Sequence, residues 1–131
     1  MRASGSFLLD TNVVIALLSG DSHVRKKLAS AVQAAVPLPA VGELYFGAFK
    51  SSRAAENLAR LERMVPDWFV IECDRSTARE YGLIKNRLKV KGTPIPENDL
   101  WIAAIALQHD LVLVTRDDHF ARVQDLKHTR W

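Results

Sequence analysis

What is scarce in this chain narrows it first. Among 131 residues there is a single cysteine, Cys73. An internal disulfide is therefore excluded, a reducing cytoplasm is the natural setting, and Cys73 is expected to be a buried, inert thiol. No apolar run approaches the roughly 20 residues that a bilayer-spanning helix requires. The nearest, Phe7 to Leu18, is interrupted by Asp10, Thr11 and Asn12, and no small-residue cleavage site of a signal peptide follows it. There is no Gly-rich loop ending in Gly-Lys-Ser/Thr and no Gly-x-Ser-x-Gly turn, which leaves out a nucleotide P-loop and a serine-hydrolase elbow. His23, His109, His119 and His128 show no zinc-ligand spacing with Cys73. Excess charge is scarce too: 18 Lys plus Arg against 15 acidic residues leave +3, which permits a polyanionic partner without requiring one.

What is present reads as one globular domain, residues 1–131, with 48% hydrophobic residues to build a core. Four short apolar runs read as strands: Phe7 to Leu9, Ala35 to Leu38, Trp68 to Ile71, and Leu111 to Val114. They are continuous rather than alternating, as strands covered on both faces must be. Between them the apolar residues take helical spacing: Val24, Leu28 and Ala31; Ala54, Leu58 and Leu61; Ala78, Tyr81, Ile84 and Leu88. Thr77 with Glu80 fits a capping box for the third helix, and Gly92 followed by Pro94 fits its stop. Leu100 to Leu107 is apolar all round, which predicts a buried helix. Strands alternating with helices predict an α/β fold with a mainly parallel sheet between helical layers.

Four acidic residues stand out by where this pattern puts them. In parallel sheets ligands bind beyond the carboxyl ends of the strands. Asp10 directly follows the first strand, and Asp117 follows the last after Thr115 and Arg116. Asp99 falls in the first turn of the all-apolar helix and Glu43 early in a helix from about Val41 to Lys50. A carboxylate drawn toward the interior costs several kcal/mol unless it is paired or holds a metal. Each has an ordinary reading as well: Asp10 as a helix cap, Asp99 as a first-turn acid, Glu43 as a solvent-facing side chain, Asp117 with Asp118 as a turn. Taken together they make a hard oxygen site suited to Mg²⁺ or Mn²⁺, and two such ions about 4 Å apart can activate a water against a phosphodiester.

The residues that carry these features also resemble a known family. Leu8-Leu9-Asp10-Thr11-Asn12, then Val41-Gly42-Glu43-Leu44 with Gly47, then Asn98-Asp99-Leu100-Trp101-Ile102-Ala103-Ala104, and finally Thr115-Arg116-Asp117 with Phe120 resemble PIN-domain ribonucleases, specifically the VapC-type toxins of toxin-antitoxin pairs. The resemblance implies a three-layer α/β/α sandwich in which Asp10, Glu43, Asp99 and Asp117 line one pocket binding Mg²⁺ or Mn²⁺. Asp10 and Asp99 are its firmest metal ligands, and Asn12 and Thr115 are supporting polar residues. It also implies an RNA substrate, a cognate antitoxin protein and a homodimer.

Hydrolysis assisted by such an ion would leave a 5′-phosphate and a 3′-hydroxyl. Arg75, Arg79, Lys85, Arg87, Lys89, Lys91 and Arg116 are candidates to bring RNA to the pocket, and Trp68, Trp101 and Trp131 to stack on bases or to pack the interior. Two rival readings stay open. Asp10-Thr11-Asn12-Val13 looks like the nucleophile loop of haloacid-dehalogenase-type phosphotransferases, except that Asn12 stands where that loop has its second Asp. The other rival is a non-catalytic RNA- or protein-binding module on the same fold.

Overall fold

The apolar runs pair as strands of one parallel sheet in the computed structural model, which describes residues 6–131. The strands are β1 (Ser6–Leu9), β2 (Gln33–Pro37), β3 (Val70–Ile71), β4 (Val112–Val114) and β5 (His128–Thr129), in the order β3-β2-β1-β4-β5. Every neighbouring pair is parallel, with Leu8 opposite Ala35 on one side and Leu113 on the other. Among the described residues six α-helices flank the sheet: α1 (Thr11–Leu18), α2 (Ser22–Ser30), α3 (Leu38–Lys50), α4 (Ala54–Met64), α5 (Arg75–Lys91) and α6 (Glu97–Gln108). The result is the expected α/β/α sandwich, its core built on Leu8, Val13, Ile102, Ile105, Leu113 and Phe120, all fully buried.

Several boundaries differ from the sequence reading, each for a local reason. Leu38 opens α3 instead of ending β2: Pro37 has no N–H to extend the ladder, and Pro39 is tolerated in the first helical turn, where that N–H would be unpaired anyway. The cap of α5 is Asp74, not Thr77 with Glu80. Asp74 Oδ1 accepts from the Thr77 amide at 3.1 Å while the Asp74 amide donates to Thr77 Oγ at 2.9 Å. The inward stripe of that helix therefore runs through the buried Thr77, Ile84 and Leu88 with the half-buried Tyr81, and Ala78 faces solvent. Gly92 does end the helix, in the left-handed region at φ 72°. Cys73 is exposed, not buried, because it lies beyond the half-buried, two-residue edge strand β3. β5 escaped notice because His128 and Thr129 form no apolar run; only pairing with β4 makes them a strand.

Candidate active site

β1 and β4 are neighbours in register, Leu9 opposite Val114, so the chain leaves both strands side by side at one sheet edge. The Asp10 amide continues the ladder to the Val114 carbonyl at 2.9 Å. Asp10 then turns from extended backbone into α1 as its N-cap, with its side chain accepting from the Thr11 amide at 2.8 Å. Its other oxygen accepts from Thr115 Oγ, immediately after β4, at 2.7 Å. Asp10 thus caps the helix with one oxygen and reaches across to the end of β4 with the other. Only 2% of Asp10 is exposed.

The remaining carboxylates reach the same place from helices and a turn. Thr11 Oγ donates to Glu43 Oε1 at 2.7 Å, tying α3 to α1. Thr115 Oγ accepts from the Asp117 amide at 3.0 Å, and Asn12 Nδ2 donates to Asp117 Oδ2 at 3.4 Å. Asn12 Oδ1 in turn accepts from the Arg116 amide at 3.3 Å, so the loop after β4 is fastened to α1 twice over. Asp99 is buried in the first turn of α6, and its Oδ2 lies 2.5 Å from His119 Nε2. Asp10, Glu43, Asp99 and Asp117 all line one open cleft of about 370 Å³, together with Asn12 and His119.

Electrostatics mark the cleft as a place that wants positive charge. Burial pushes the Asp10 carboxyl up to about 6, against the lowering effect of its bonds from Thr115 and Thr11, and the charges of Asp99 and Asp117 push the same way. Burial also raises Asp99, where the bond and charge of His119 oppose the charges of Glu43 and Asp117. One ligand atom from each of Asp99, Asp117 and His119 lies within 4.8 Å of the other two. That span, with two carboxylates and an imidazole as donors, fits a divalent cation, whose opposite ligands at bonds of about 2.1 Å stand about 4.2 Å apart.

Two residues of the site went unread in the sequence. His119 shows no zinc-ligand spacing in the sequence, yet its place two residues after Asp117 in a turn beyond β4 brings it to the same edge. Thr11, beside Asp10, is the residue that orients Glu43.

None of the seven basic candidates lines the cleft. Arg116 turns away from it, donating to Asp21 at 3.1 Å and to the Trp131 carbonyl at 3.2 Å. Lys85 pairs with Glu97 at 3.3 Å. Arg75, Arg79, Arg87, Lys89 and Lys91 are exposed along α5. Two of the tryptophans take the packing role: Trp101 stacks on Tyr81 at 4.0 Å, and the buried Trp131 meets Phe7 edge-on at 5.1 Å.

Next to the cleft, and sharing Ile15 and Glu43 with it, an apolar groove of about 260 Å³ runs between α1, α3 and α4, lined by Leu18, Leu44 and Leu61. On the same α3 helix Phe46 and Phe49 are each 65% exposed.

Comparison with known proteins agrees with this arrangement. Residues 7–126 match the PIN domain family. The ribonuclease VapC1 of Haemophilus influenzae is 30% identical over 130 residues, covering 95% of this chain and 97% of that protein. The tRNA(fMet)-specific endonuclease VapC of Salmonella typhimurium is 30% identical over 128 residues, covering 95% and 97%. The crystal structure of DNA-bound VapBC from Salmonella typhimurium superposes with a TM-score of 0.88 at 29% identity, covering 96% of this chain and 98% of that one. With the PIN domain model matched over residues 7–126 and VapC ribonucleases 30% identical over nearly the whole length, the chain belongs to the PIN-domain family, in its VapC branch.

Proposed function

We propose that this chain is the toxin of a toxin-antitoxin pair and acts as an Mg²⁺- or Mn²⁺-dependent endoribonuclease. The observation that carries the reading is the convergence of Asp10, Glu43, Asp99 and Asp117 in one cleft at the carboxyl edge of β1 and β4. Two curated relatives are named as a ribonuclease and as a tRNA endonuclease, which supports RNA as the substrate. Asp10 and Asp99 would hold the ion, with Asp117 beside them. Bound there, it would supply the positive charge that stabilises a phosphodiester in transit and acidifies a water.

The chain's own residues do the rest. Thr115 and the Thr11 amide fix the two oxygens of Asp10, so the carboxylate needs no reorganisation when charge arrives. Thr11 holds Oε1 of Glu43 and leaves Oε2 to accept a proton from the attacking water. Asn12 and Thr115 set the position of Asp117.

The groove beside the cleft and the exposed Phe46 and Phe49 offer the apolar face that a cognate antitoxin would cover. The solved VapBC complexes to which the chain is similar support such a partner. We assign the toxin a homodimeric state and a cytoplasmic location; among the described residues no helix is long and apolar enough to cross a membrane. Purified chain freed of antitoxin should cut RNA with Mg²⁺ or Mn²⁺, leave 5′-phosphate ends, and stop in EDTA or as Asp99→Ala. Cleavage that persists in EDTA, or 2′,3′-cyclic phosphate ends, would overturn the reading. Absence of any cleavage together with retained RNA binding would favour a binding module.

A further inference from the structure

We propose that His119 is itself a ligand of the ion shared with Asp99 and Asp117, which makes the site a mixed nitrogen and oxygen set that favours Mn²⁺ over Mg²⁺. This rests on the metal-dependent reading above and goes beyond it by naming a residue and a selectivity. The imidazole lines the cleft with the carboxylates, and its Nε2 faces Asp99 Oδ2 at 2.5 Å. The ring lies against Phe120, 4.9 Å between centroids, and Phe120 is fully buried in the core. Its nitrogen reaches the cleft at a spacing from Asp99 and Asp117 that one ion can bridge.

The donor type decides the selectivity. Mg²⁺ binds oxygen almost exclusively and parts reluctantly with its waters, whereas Mn²⁺, though the weakest nitrogen binder among the first-row transition ions, accepts an imidazole more readily than Mg²⁺ does. A His among carboxylates should therefore raise Mn²⁺ affinity and leave Mg²⁺ affinity nearly untouched.

The test is Mn²⁺ and Mg²⁺ binding to the full chain by calorimetry, with pulsed electron paramagnetic resonance of the Mn²⁺ form. In the wild type a nitrogen coupling to Mn²⁺ is expected, and chain produced on ¹⁵N-histidine should show it converted to the ¹⁵N pattern, a check that requires no mutant to fold. In His119→Gln the coupling should vanish and the Mn²⁺ over Mg²⁺ preference should fall by about tenfold. If wild-type Mn²⁺ is bound and RNA is cut, yet no nitrogen coupling is seen or it survives in His119→Gln, the inference is overturned and the nuclease reading stands. If the wild type binds no Mn²⁺ at all, both fall.

Discussion

Asp10 and Asp74 do the same local job and end in opposite electrostatic states. Each is an N-cap, Asp10 of α1 and Asp74 of α5, and each accepts from a backbone amide of the helix it starts. Asp74 sits at the surface, where its bonds from Thr77 and Gln108 hold its carboxyl below the ordinary value. Asp10 makes comparable bonds, yet burial and the neighbouring Asp99 and Asp117 lift it to about 6. Asp21, the cap of α2, falls with Asp74, lowered by the Val24 amide and by Arg116. At the surface, with a side-chain donor added to the cap, Asp21 and Asp74 both keep a comfortable carboxylate. An Asp raised by burial, with two further acids pushing the same way, is one that a bound cation would relieve.

Substitution should break this contrast most sharply. Asp99→Ala or Asp10→Ala should lower RNA cleavage by more than about 100-fold, the upper end of the loss expected from an outer-shell partner alone. Asp74→Ala should leave turnover per folded molecule unchanged, and gel-based cleavage assays on the three variants decide it.

The pH dependence of stability comes next. Asp10 has a folded pKa of about 6 above its ordinary 3.8, so its stabilising contribution is complete below the ordinary value and is lost as pH rises through about 6. Metal-free chain should lose up to about 3 kcal/mol over that window. Mg²⁺ should restore most of it, and Asp10→Asn should flatten the curve, as read by denaturant melts from pH 4 to 8. Asp74 works in the other direction, contributing above the ordinary carboxylate value and losing that contribution as pH falls through its lowered one.

Smaller effects sharpen the comparison. Thr115→Val removes the hydroxyl that pins Asp10 and should cost about tenfold in cleavage, with Thr115→Ser recovering it. Asp74→Ala should cost only about 1 kcal/mol of stability, the ordinary value of a lost cap.

Much of this was readable in the chain because the signals were local. Continuous apolar runs located four of the five strands, and the alternation with helices implied their parallel order. Asp10 and Asp117 were placed by the strands they follow, Glu43 and Asp99 by the apolar helices that carry them. What stayed hidden depends on contacts between distant segments. Nothing near His128 shows that it pairs beside Leu113, and nothing near Arg116 shows that Asp21 and Trp131 engage it. His119 lies 20 residues from Asp99, and only the fold brings its ring to that carboxylate.

The most direct test is the count of protons released when Mg²⁺ binds at pH 6, measured by calorimetry in buffers of differing ionisation enthalpy. A carboxyl with a pKa of about 6 is half protonated there, so binding should release about half a proton from Asp10 alone. The release should fade by pH 8 and drop in Asp10→Asn. Binding that releases no proton at pH 6, or releases the same number from Asp10→Asn, would contradict a cation site built on Asp10.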